Sequence, residues 1–101
     1  MKIINLAENN SILNQYIKEI RSVDIQNDSM RFRRNLERIG EIMSYEISKV
    51  MEYNSEEVKT PLGHAPVNVI GENVVISTIL RAGLPFHQGF LNYFDKAENA
   101  F

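Results

Sequence analysis

A chain of 101 residues with 44% hydrophobic and 24% charged content is sized for one soluble domain and one modest core. Its net charge of −2 argues against a general nucleic-acid binder held by bulk electrostatics, and the lack of cysteine excludes disulfides, thiolate catalysis and thiolate metal sites. No apolar run approaches the ~20 residues of a bilayer span, and the stretch Met1–Leu6 is too short for a secretion signal, so a cytoplasmic chain without membrane contact is expected.

The first predicted element is a helix capped by Asn9, Asn10 or Ser11 and ending near Arg21. Ile12, Leu13, Tyr16, Ile17 and Ile20 share one narrow face, which suits packing on a surface. A polar connection, Ile25 to Ser29, leads to a long helix opened by Asp28 or Ser29 and running to about Met51. Its stripe is Phe32, Leu36, Ile39, Met43, Ile47 and Val50, spaced for a face turned to a core or a partner. Gly40 breaks the stripe at about 1 kcal/mol relative to alanine unless another backbone packs closely there. Arg34 and Arg38 are like charges four apart, as are Glu37 and Glu41, and a positive helix start opposes the dipole. Arg31, Arg33 and Arg34 are therefore expected to have partners elsewhere.

Glu56–Thr60 reads as a short strand, Pro61–Gly63 as a turn, and Ala65–Ile70 as a second strand that Pro66 places at an edge. Gly71–Asn73 is another turn. Val74–Leu80 is almost continuously apolar and fits a strand buried on both faces of a parallel sheet. Pro85 suits the first turn of a final helix whose apolar face carries Phe86, Phe90, Leu91 and Phe94. No later segment reads as a parallel neighbour for Val74–Leu80.

The junction between that strand and that helix is Leu80-Arg81-Ala82-Gly83-Leu84. A helix N-terminus offers free N–H groups and a positive dipole end, and Ala82 and Gly83 are small enough to admit a ligand to the main chain. Arg81 adds a guanidinium suited to bidentate bonds with phosphate oxygens. The expected chemistry is anion binding by Arg81 and the N–H groups of Ala82, Gly83 and Leu84. His87 is given no catalytic role, and His64 is expected in an exposed turn. No hydrolase triad is legible, and no metal-ligating set.

Arg31-Phe32-Arg33-Arg34, then Arg38 to Glu46, then Thr60-Pro61-Leu62-Gly63, then Thr78 to Leu84, occur in an order and spacing that resemble the N-terminal half of uracil phosphoribosyltransferases. The Ile79–Leu84 stretch is the most specific part. The resemblance implies an α/β fold: the N-terminal part of a type I phosphoribosyltransferase-like fold, with a helical N-terminal segment followed by a β-hairpin and one central parallel strand. It implies pyrimidine salvage, in which uracil and 5-phosphoribosyl-1-pyrophosphate give UMP and pyrophosphate, normally with Mg2+. It also implies a homo-oligomer, and it assigns Leu80, Arg81, Ala82, Gly83 and Leu84 to pyrophosphate, with Leu80–Arg81 the candidate for a cis peptide bond.

The family's acidic ribose-binding loop and its uracil-reading segment have no counterpart in this sequence, whose aspartates are Asp24, Asp28 and Asp95. Residues 1–101 are thus expected to be one N-terminal part of a phosphoribosyltransferase domain, inactive alone, with no position assignable to ribose, magnesium or uracil. Two alternatives come from another class. One is a non-catalytic association module using Leu36, Ile39, Met43 and Ile47; the other is a strand-swapped oligomer whose partner chains complete the sheet.

Overall fold

The computed structural model describes residues 1–101. A 3-10 turn (Leu6–Glu8) precedes helices α1 (Leu13–Arg21) and α2 (Ser29–Ser48), strands β1 (Tyr53–Thr60), β2 (Gly63–Ile70) and β3 (Val75–Ser77), helix α3 (Leu84–Tyr93) and strand β4 (Glu98–Ala100).

Helix α1 starts later than the capping residues suggested. Ser11 Oγ accepts from the Leu13 N–H at 3.2 Å, but Ile12 occupies the cap position itself. Helix α2 opens as expected: Asp28 stands outside the helix and its Oδ1 accepts from the Arg31 N–H at 3.0 Å. The two helices are tied by polar contacts. Fully buried Asn35 donates to Glu19 Oε2 at 2.6 Å and accepts from Arg38 at 2.9 Å, while the Arg38 guanidinium lies over the Tyr16 ring. Arg31 reaches Glu19 and Asp28, each at 3.7 Å, and Arg34 pairs with Glu37 at 2.7 Å. Arg33 has no ion pair. The repulsion between Glu37 and Glu41 is offset by a residue from α3: the Asn92 amide donates to both carboxylates at 2.7 Å.

Helices α2 and α3 cross at two glycines. A Cβ on Gly40 would lie 2.5 Å from Phe86 O and 3.1 Å from Gly89 Cα, so the glycine in the α2 stripe answers to a backbone pressed against it. Ser44, also fully buried, returns its hydroxyl to Gly40 O at 2.9 Å. The fully buried residues of α2 are Asn35, Gly40 and Ser44, not the apolar stripe. The stripe, expected to face a core or a partner, does not close a core within this chain: Ile47 and Val50 are exposed and the rest half-buried, and the tight contact with α3 is made by the small residues beside them.

Strands β1 and β2 form an antiparallel hairpin in which Thr60 pairs with Gly63 and Glu57 with Pro66. The connection is Pro61–Leu62, and Gly63, already in the strand, takes the positive φ (131°) that glycine tolerates. At its base Tyr53 Oη donates to Ser48 O at 2.8 Å; beyond that the hairpin projects from the helices. The radius of gyration is 16.8 Å, against about 13 Å for a compact domain of this length.

The predicted strand Val74–Leu80 is shorter, and it has a neighbour. β3 pairs in parallel with β4, Ile76 opposite Asn99, with α3 as the crossover. Two expectations are corrected here. The segment after α3 is a strand, which its sequence Glu-Asn-Ala does not announce. Ile79 and Leu80 leave the sheet, because the Thr78 N–H to Ala100 O bond (3.3 Å) is the last that β4 supplies. Only Ile76 of β3 is buried. Phe86, Phe90 and Phe94 do not close a core; with Ile47, Met51 and Ile76 they line an open apolar cavity of about 360 Å³.

Candidate functional site

The candidate site is the turn between β3 and α3. Gly83 is the N-cap of α3, and Pro85 lies in the first turn without an N–H to satisfy. No acidic residue occupies that turn, so nothing offsets the positive end of the dipole. The Leu80–Arg81 peptide is cis, at the bond the resemblance singled out.

Two of the expected amide donors are engaged within the turn. The Gly83 N–H donates to Ile79 O and the Leu84 N–H to Arg81 O, both at 3.1 Å. Across the turn and the first residues of α3, the N–H groups without a protein acceptor are those of Leu80, Arg81, Ala82 and Phe86. The expectation that Ala82, Gly83 and Leu84 together face an anion is corrected accordingly. The turn closes on itself through its second half and leaves its first half, with one helical N–H, free.

Arg81 is exposed and its guanidinium forms no ion pair. Leu80, Ala82 and Leu84 are exposed as well, which puts the turn on an open surface.

Gly83 has a φ of −77°, which any residue adopts. Space, not conformation, requires the glycine. A Cβ there would overlap the Thr78 hydroxyl and lie 2.9 Å from Ile79 O. Thr78 thus fills the hollow behind the turn, a role the sequence did not reveal.

On the far side, His87 is buried, and its Nε2 lies 2.6 Å from Asn99 Oδ1 on β4. That contact was not legible without β4. His64 lies on β2 opposite Lys59 and is exposed. The turn carries no carboxylate, Asp28 caps α2, and no three His, Cys, Asp or Glu side chains converge anywhere in the chain. These residues do not form a magnesium site.

A family model described as uracil phosphoribosyltransferase matches residues 7–100. The chain belongs to the uracil phosphoribosyltransferase family. A uracil phosphoribosyltransferase from Porphyromonas gingivalis is 58% identical over 101 residues, all of this chain and 47% of the relative. One from Pyrococcus furiosus is 36% identical over 92 residues, and one from Sulfolobus acidocaldarius 40% over 83, covering 39% and 38% of those proteins. The chain therefore spans about half the length, or less, of these curated relatives. Among solved structures, an Aquifex aeolicus protein superimposes with a TM-score of 0.78 at 27% identity over 90% of this chain and 43% of its own. The α/β architecture is thus that of a solved protein, and no helix of this family member is long and apolar enough to cross a membrane.

Proposed function

We propose that the turn Leu80, Arg81, Ala82, Gly83 and Leu84 holds the pyrophosphate of 5-phosphoribosyl-1-pyrophosphate in uracil phosphoribosyl transfer. The observation that carries this reading is the unpaired Arg81 guanidinium in the same turn as the free N–H groups of Arg81 and Ala82, at the N-terminus of α3. As the bond from ribose to pyrophosphate breaks, negative charge grows on the departing oxygens. Donors fixed in advance at that place stabilise the transition state more than the ground state. Arg81 supplies a fixed positive charge with paired donors, and the amides supply donors that need no reorganisation. Leu80, Gly83 and Leu84 act by shaping the turn.

In this reading residues 1–101 are the N-terminal part of one phosphoribosyltransferase domain. The complete reaction, uracil and the ribosyl donor giving UMP and pyrophosphate in cytoplasmic pyrimidine salvage, draws ribose, uracil and magnesium binding from elsewhere. The 101-residue chain alone turns over no substrate. Titration of the chain with inorganic pyrophosphate, followed by amide NMR, tests the site: the Arg81 and Ala82 signals move and saturate. Equal shifts with sulfate at the same concentration, or none with pyrophosphate, would remove the assignment. Formation of UMP by the purified chain would contradict the expected inactivity.

The same reading includes self-association. A two-stranded hairpin is marginal in water by itself, and β1 and β2 project with Leu62 fully exposed at the tip. A second copy covering the hairpin accounts for its persistence. Light scattering after size exclusion checks this, and a monomer at all concentrations would exclude it.

A further inference from the structure

We propose that His87 is a positioning residue for the pyrophosphate turn, acting through its side-chain bond to Asn99. The inference rests on the reading of that turn as the pyrophosphate site. It is carried by how the two ends of the turn are held. The β3 end is fixed to β4 by the Thr78 N–H to Ala100 O bond. The α3 end has one equivalent tie to β4, which is His87 Nε2 to Asn99 Oδ1 at 2.6 Å. The same residue is bound to the turn directly: its backbone N–H donates to Gly83 O at 2.9 Å. His87 is therefore the point at which the turn, the first turn of α3 and β4 meet.

The amide nitrogen of Asn99 lies 3.5 Å from Ala97 O, and in that arrangement its Oδ1 faces the ring and accepts from His87 Nε2. His87 Nδ1 is buried and has no hydrogen-bond partner. A ring chosen only to fill space would not leave a polar atom orphaned in this way, because an aromatic hydrocarbon of the same size would carry no such penalty. Histidine at this place gains only the Nε2 bond, and that bond sets where α3 begins relative to β4. The ring also packs on Phe101, a contact phenylalanine would keep.

The test uses the 101-residue chain and inorganic pyrophosphate. His87→Phe keeps the ring volume, removes the donor and relieves the orphaned Nδ1, so its melting temperature stays close to wild type. Its pyrophosphate affinity falls about fivefold, the factor associated with one hydrogen bond. Asn99→Ala, at an exposed position, produces a similar loss and decides the question if the first variant fails to fold. The double variant loses no more than either single one. His87→Gln, which can place an amide nitrogen near the position of Nε2, recovers most of the affinity.

Unchanged affinity in both single variants, with or without a lower melting temperature, reduces the bond to a stabilising one and overturns the inference while the pyrophosphate reading stands. A wild-type chain that ignores pyrophosphate overturns that reading, and this inference with it.

Discussion

Gly83→Ala is the most informative single change, because it separates a turn that merely contains glycine from one built around its lack of a side chain. The new methyl would meet two groups: the Thr78 side chain, overlapping its hydroxyl, and Ile79 O at 2.9 Å. The first can rotate or shift; the second is main chain and already accepts the Gly83 N–H. Overpacking of this kind costs about 1–3 kcal/mol, and alanine is a poorer N-cap than glycine by up to about 1 kcal/mol. A net loss of about 2–3 kcal/mol lowers the melting temperature of a chain this size by about 10–20 °C. Thr78→Ala removes the overlapping hydroxyl but not the carbonyl, so the double variant recovers roughly half of the loss, a non-additivity expected of groups in contact. Thermal unfolding by circular dichroism measures all three variants. If Gly83→Ala melts within a degree or two of wild type, the hollow behind the turn yields freely, and close packing is not what fixes the glycine.

Arg81→Ala leaves the melting temperature unchanged, since the guanidinium is exposed and pairs with nothing in the chain, but weakens pyrophosphate binding by about tenfold or more in calorimetric titration. Gly89→Ala forces a methyl against Glu37 O at the α2–α3 crossing and lowers stability by about 2–3 kcal/mol in urea unfolding; retention of the wild-type midpoint would mean the helices can part there without penalty. Asp28→Ala removes the N-cap of α2 and costs about 1 kcal/mol by the same measurement, with Asp28→Asn largely retaining it.

Local signals read correctly where they act locally. Asp28 ahead of an apolar period opened α2, and Pro85 set the first turn of α3 to within a residue. What the sequence withheld depends on partners distant along the chain. Glu98–Ala100 is a strand only because β3 lies beside it, and with β4 unseen the Asn99 contact of His87 could not be anticipated. The free amides could not be chosen from sequence either, since Gly83 and Leu84 are withdrawn by bonds whose acceptors, Ile79 O and Arg81 O, come near only once the turn has formed.

The stripe of α2 shows what apolar periodicity leaves open. Phe32, Leu36, Ile39, Met43 and Ile47 have the period of a buried face, yet burial is complete at Asn35, Gly40 and Ser44, residues that a hydrophobic pattern ranks last. Apolar periodicity reports what a helix is able to bury. Small residues at a crossing report how closely another backbone has come, and here that backbone is α3 at Phe86 and Gly89. The crossing fixes α3 against α2, and α3 in turn fixes the N-terminus that faces the proposed pyrophosphate. The placement of the site therefore rests on glycine and serine contacts, while the large apolar side chains beside them remain available for further cover.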